Sequence, residues 1–216
     1  MANDKLIVFV SIIAVLVSFI GMILTFSIFS IGSFTGHVVE NTTVGTINLT
    51  VSSALWINFT NNAIDWGSGI ILGDSANLST STGDVLGGTW SNVTEGLLLE
   101  NIGNINATVW FTFGKNNTDL LGLTSTDPLY KFNVTNNESN SCVNSSDFSL
   151  GQFHDVNGTD LNISDNGIII CDNFAYADGS DEIRVDIFLK VPSDAQTGIL
   201  GDVIVAGACS AITGCA

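Results

Sequence analysis

The hydrophobic pattern of the chain changes character once. Residues 6–32 are almost continuously apolar, and no charged side chain stands between Lys5 and Glu40. About 20 helical residues cross a hydrocarbon core, so the pattern predicts a transmembrane helix or uncleaved signal anchor over 6–32, behind a short cytoplasmic N-terminus over 1–5. The span is longer than the apolar region of a secretory signal, about 7 to 15 residues, although Ser30-Ile31-Gly32 offers a small-x-small cleavage site. Past residue 33 the period falls to two. Apolar and polar residues alternate in Thr46-Ile47-Asn48-Leu49-Thr50-Val51, in Ala107-Thr108-Val109-Trp110-Phe111-Thr112-Phe113 and in Arg184-Val185-Asp186-Ile187-Phe188-Leu189-Lys190-Val191, as half-buried strands require.

Further strands are expected near 55–59, 96–100, 130–134, 168–171 and 203–206, separated by loops rich in Gly, Asn, Ser and Asp. No segment beyond the span carries a convincing helical repeat. Seven to nine short antiparallel strands make an all-β domain, and the expected architecture is an antiparallel β-sandwich of jelly-roll or immunoglobulin-like type over 46–216. Residues 33–45 read as a linker or donor strand. Trp56, Trp66, Trp90 and Trp110 read as core or strand-surface residues rather than a ligand platform.

Twelve Asn-x-Ser/Thr triplets follow the span, with acceptors Asn41, Asn48, Asn58, Asn77, Asn92, Asn106, Asn116, Asn133, Asn137, Asn144, Asn157 and Asn162. The exterior holds 21 Asn, and about one residue in five is Ser or Thr, so chance alone gives roughly four triplets. The excess points to N-linked glycans, which places everything past about Ser33 outside a membrane and the bulk of the chain at the cell surface.

Charge and cysteines narrow the class further. Twenty-one acidic residues against five basic give a net charge of −16, and the exterior cations are only Lys115, Lys131, Arg184 and Lys190. Such a surface repels nucleic acid and anionic headgroups. Cys142, Cys171, Cys209 and Cys215 form no Cys-x-x-Cys pair and have only His37 and His154 for company, so they read as two disulfides rather than a zinc site. Of the three connectivities, Cys142 with Cys171 and Cys209 with Cys215 is expected.

The usual catalytic signatures are missing: there is no Gly-x-Ser-x-Gly and no nucleotide-binding loop. A non-enzyme without a small-molecule substrate is the expectation. Structural calcium is the one metal for which ligands stand close together. In Asp155-Val156-Asn157-Gly158-Thr159-Asp160 the glycine falls in the wrong place for an EF-hand loop, so a glycosylated turn is expected there. Asp178-Gly179-Ser180-Asp181-Glu182 reads as the entry to a strand.

The order of parts resembles a known group. A hydrophobic N-terminus, Val44-Gly45 leading into the first alternating segment, Leu97-Leu98-Leu99-Glu100-Asn101-Ile102-Gly103-Asn104, then Val185 to Pro192 and a final strand look like the TasA and camelysin proteins. That group includes bacterial matrix fibres and archaeal bundling pilins and threads, and the sequon load is more similar to the archaeal members. The resemblance implies a jelly-roll subunit that polymerises by donating its N-terminal strand, here around Val38 to Val51, to a neighbour. A weaker resemblance is to archaeal type IV pilins and archaellins, whose uncharged N-terminal helices bundle beneath glycosylated β heads. Lys5-Leu6 lacks the small residue usual at their processing site. The resulting expectation is a homopolymeric surface-filament subunit attached to the membrane through its N-terminal helix. The alternative is a monomeric membrane-anchored glycoprotein, adhesin or carbohydrate-binding module.

Overall fold

The computed structural model describes residues 13, 15–18, 20, 49–122, 127–143, 145, 148–156, 163–164 and 167–211. The chain divides into Met1–Leu49 and Thr50–Ala216, and every named strand lies in the second unit. In the first unit residues 13, 15–18 and 20 are helical and exposed, and all but Ser18 are apolar. Among the described residues no helix is long and apolar enough to cross a membrane. The remainder of the span 6–32, the segment 1–5 and the linker 33–45 lie outside them.

The second unit is all-β, built from antiparallel sheets in a sandwich-like arrangement. Its organiser is β10 (Glu182–Pro192), whose alternation sends Ile183, Val185, Ile187 and Val191 into the core. Along one edge β10 pairs with β6 (Leu129–Asn136). Along the other it pairs first with β4 (Leu97–Glu100) and then with β2 (Ser75–Ser79). β1 (Asn58–Asn61) flanks β4, β3 (Val85–Leu86) flanks β2, and β7 (His154–Asp155) flanks β6. The second sheet runs in the order β11 (Ile204–Ser210), β5 (Ala107–Phe113), β9 (Gly167–Phe174), β8 (Ile163–Ser164). Aromatic rings tie the two sheets together: Phe113 of β5 lies 4.7 Å from Phe132 of β6, and Phe111 of β5 lies 6.4 Å from Phe59 of β1. Phe111, Phe132 and Phe174 are fully buried, each contributing on the order of 2–3 kcal/mol by area.

The alternating segments 107–113 and 184–191 are strands, as their period requires, and strands also cover most of 96–100, 130–134, 168–171 and 203–206. Three expectations are corrected. Residues 55–57 are not strand, and β1 begins only at Asn58. Residues 49–51 of the first alternating segment are also not strand, while 46–48 lie outside the described residues. A one-turn helix, α1 (Asn117–Leu121), follows β5 where none was expected; Asn116 caps it by accepting the Asp119 N–H at 2.7 Å. Caps of this kind stabilise a helix too short to show a period.

Where the edge of β10 changes partner from β4 to β2, the ladder is completed by Thr80. Its N–H donates to the Ile187 carbonyl and its Oγ1 accepts the Ile187 N–H at 2.9 Å. Beside this junction Asp186 is only 4% exposed. Its Oδ1 accepts from Thr80 Oγ1 at 2.9 Å and from Arg184 Nη2 at 2.7 Å, so the buried carboxylate is paired and hydrogen-bonded.

Candidate functional site

Seven of the twelve candidate glycan acceptors fall on described residues. Asn58, Asn92 and Asn137 are exposed, whereas Asn77, Asn106 and Asn116 are half-buried. Asn106 Nδ2 donates to Asn173 Oδ1, and Asn116 is committed to its cap. Asn133 faces Asp186 across β6 and β10, is 5% exposed, and has an Oδ1 without a partner. A glycan cannot be seated on that packed face. Asn41, Asn48, Asn144, Asn157 and Asn162 lie outside the described residues.

The turn after β4 anchors the lead into the domain. Fully buried Asn101 donates from Nδ2 to the carbonyls of Ile105 and Phe174 and accepts the Gly103 N–H. Asn104 then clamps the incoming chain: its Oδ1 accepts the Ala54 N–H at 2.6 Å, its N–H donates to the Ala54 carbonyl, and its Nδ2 donates to the Ser52 carbonyl. Gly103 is required because a Cβ there would meet the Ala54 carbonyl oxygen at 2.5 Å. Upstream of this clamp Leu49 and Val51 are 84% and 73% exposed. They are the last two apolar positions of the period-two segment 46–51.

Towards the other end of the chain, β11 pairs with β5 on one side, and no described strand pairs with the other. The Gly114 N–H donates to the Val203 carbonyl and the Ala211 N–H to the Asn106 carbonyl, which fixes the phase of the ladder. Odd-numbered residues of β11 bond to β5, and Ile204, Ala206 and Ala208 turn their N–H and C=O groups to the opposite edge. None of the described residues meets them there. Their side chains pack against the core but remain half-covered. On the outer face the Trp110 indole covers Gly207, where a Cβ would meet the ring at 2.4 Å. At the entry to β11 the Tyr130 hydroxyl donates to Asp202 Oδ2 at 3.1 Å.

Cys142 and Cys171 form a disulfide that ties the chain after β6 to β9. Cys209 is also disulfide-bonded, and Cys215, its expected partner, lies outside the described residues. His37 lies outside them too, while buried His154 packs on Phe148 with ring centroids 4.3 Å apart. Trp66, Trp90 and Trp110 are half-buried, and Trp56 is exposed.

Carboxylates gather where β10 begins. Asp181 is buried and pushed up to about 6, first by burial, then by a hydrogen bond and repulsion from Glu138, with Glu100 and Asp178 adding repulsion. Among the described residues no group of three or more His, Cys, Asp or Glu is arranged to hold a metal ion. Of the other acidic loop, 157–160 lie outside the described residues. The folded chain holds the Asp181 proton up to about pH 6, whereas the unfolded chain releases it near 3.8. The resulting stabilisation is fully present below 3.8 and is lost as pH rises through 6. It amounts to about 1 kcal/mol between pH 5 and 7.5. Thermal melts are therefore expected to be a few degrees higher at pH 5 than at 7.5, with Asp181→Asn removing most of the difference. An unchanged slope in that variant would show that other carboxylates carry it.

No protein-family model, no curated protein and no solved structure matches the chain.

Proposed function

We propose that the chain is a structural glycoprotein of the cell surface, delivered there by an N-terminal membrane helix and serving, once released from it, as a homopolymeric subunit of an extracellular filament. On this reading the all-β unit is a jelly-roll-type β-sandwich, akin to the archaeal bundling pilins and threads of the TasA and camelysin kind. The observation that carries it is the uncovered pair Leu49 and Val51. Two large apolar residues at strand spacing, at the end of a segment rooted by the Asn104 clamp, expose surface whose burial is worth about 1.5–3 kcal/mol per residue. A strand supplied to a neighbour's sheet edge gains that burial together with a row of backbone hydrogen bonds.

The test is intact-mass and glycopeptide mass spectrometry on protein sheared from the native surface, compared with protein left in the membrane. The expected result is a sheared form beginning near Ser33, glycosylated at Asn58, Asn92 and Asn137 and bare at Asn133. A sheared form beginning near Leu6 replaces strand donation with a bundled helical core. Recovery only in the membrane fraction with the span intact overturns the filament reading and leaves an anchored surface glycoprotein.

A further inference from the structure

Resting on the glycoprotein part of that reading, we infer that Trp56 is a seat for the chain's own glycan: the pyranose attached to Asn58 lies with its apolar C–H face on the Trp56 indole. Alternation carries the argument. Leu55, Ile57 and Phe59 pack against the core, whereas Trp56, Asn58 and Thr60 are exposed. Side chains two residues apart on an extended chain share a face, with their Cα atoms about 7 Å apart. The indole and the acceptor amide therefore stand side by side on the outer surface, and the first sugar on Asn58 reaches the ring without help from the rest of the glycan.

The backbone on both sides of this pair is fixed. The Ala54 N–H donates to Asn104 Oδ1 at 2.6 Å, and a Cβ at Gly103 would meet the Trp56 backbone nitrogen at 3.0 Å, so the chain enters Trp56 in contact with the turn after β4. Asn58 pairs with Glu100 and Phe59 with Leu99, and the Thr60 hydroxyl donates to Glu182 Oε2 at 3.0 Å. A seat whose position is set before the sugar arrives loses little freedom on receiving it. The ring's own exposure is the second observation. Trp56 is 66% exposed while Trp66, Trp90 and Trp110 are half-buried, and tryptophan ordinarily buries most of its surface. A pyranose with its C–H groups against the indole removes apolar surface of both partners from water.

Among the described acceptors only Asn58 combines exposure with an open aromatic face two residues away. The same spacing recurs in Trp90-Ser91-Asn92-Val93-Thr94. There, however, the indole is held against Gly69 and Gly88, where a Cβ would meet it at 2.3 and 2.6 Å, and it packs on the core. Asn137 has Thr135 at that position, and its Nδ2 donates to Glu182 Oε1.

The experiment uses protein recovered from the native surface as parent, Trp56→Ala, Asn58→Gln and the double variant. Glycopeptide mass spectrometry gives the occupancy of each sequon, acrylamide quenching of tryptophan fluorescence reports indole exposure, and thermal melts report stability. With Asn58 occupied, the parent is expected to be quenched less than Asn58→Gln, and that difference is expected to vanish once Trp56 is replaced by Ala. Asn58→Gln and Trp56→Ala should each lower the melting temperature by a few degrees, and the double variant by no more than either alone. Should Trp56→Ala change the occupancy of Asn58, the quenching of parent against Asn58→Gln decides alone. Equal quenching in those two, with Asn58 occupied in the parent, overturns the seat and leaves the glycoprotein reading in place. A bare Asn58 beside an occupied Asn92 or Asn137 does the same. If no sequon carries sugar, the glycoprotein reading itself falls.

Discussion

Asp186→Ala is expected to destabilise the β unit by about 3 kcal/mol, lowering its melting temperature by roughly 6–12 °C. Removing the carboxylate takes the acceptor from Arg184 Nε and Nη2 and from Thr80 Oγ1. The guanidinium is left with only the carbonyls of Thr80 and Thr94. A partly buried cation without its counter-charge is costly, and the hydroxyl that completes the ladder at Ile187 loses the group that orients it. The side chain of Arg184 keeps 27% exposure, which holds the expected loss at the lower end of the range for broken buried pairs. The paired change Arg184→Met with Asp186→Leu should cost much less, since it removes both desolvated charges at once. Urea melts of the single and double variants would give the coupling energy. A loss below about 1 kcal/mol for Asp186→Ala would show that the pair contributes no more than a surface bridge does.

That junction also shows where sequence reading stops. Arg184 and Asp186 stand at the polar positions of an alternating segment, so the period places them outward, and outward is where they point. Their burial comes from Thr80 and Thr94, which belong to connections the period says nothing about. β2 escaped notice for a related reason: Ser75–Ser79 holds only Ala76 and Leu78 as apolar residues, too few to mark a strand without β10 beside them. Residues 107–113 and 184–191 were legible because both faces of each strand are written into the alternation. The segment 46–51 has an equally clear alternation, yet 49–51 are not strand, since a pattern makes a strand only where an edge receives it. That β11 ends its sheet among the described strands was invisible to any local pattern, because edge status is a property of topology. What could have drawn attention to it is a set of absences: no charge or proline from residue 203 to 211, and no sequon after Asn162.

The Cys142–Cys171 bridge was legible in the even cysteine count as one of three possible connectivities, and its removal is expected to cost somewhat more than the loss of the Asp186 carboxylate. Cys142→Ala with Cys171→Ala is expected to cost about 3.5 kcal/mol. The bridge closes a loop across a sequence separation of 29 residues, and chain entropy for a loop of that length gives this value. The loop contains β7, β8 and the start of β9, of which the first two are strands of two residues with little hold of their own. Local bonds survive the change: the Cys142 N–H donates to Asn136 Oδ1 at 2.7 Å and the Val143 N–H donates to the Asn173 carbonyl. The native contacts of Phe148 with Phe132 and His154 should therefore persist. The loss then appears as a lower melting temperature, by about 10 °C, with an unchanged native near-ultraviolet spectrum. Because the effect acts through the unfolded chain, the urea m-value of the variant should rise as its denatured state expands. A melting temperature within about 2 °C of the parent would mean that the loop is already confined in the unfolded state. A lost near-ultraviolet spectrum would mean instead that the bridge holds the native packing itself.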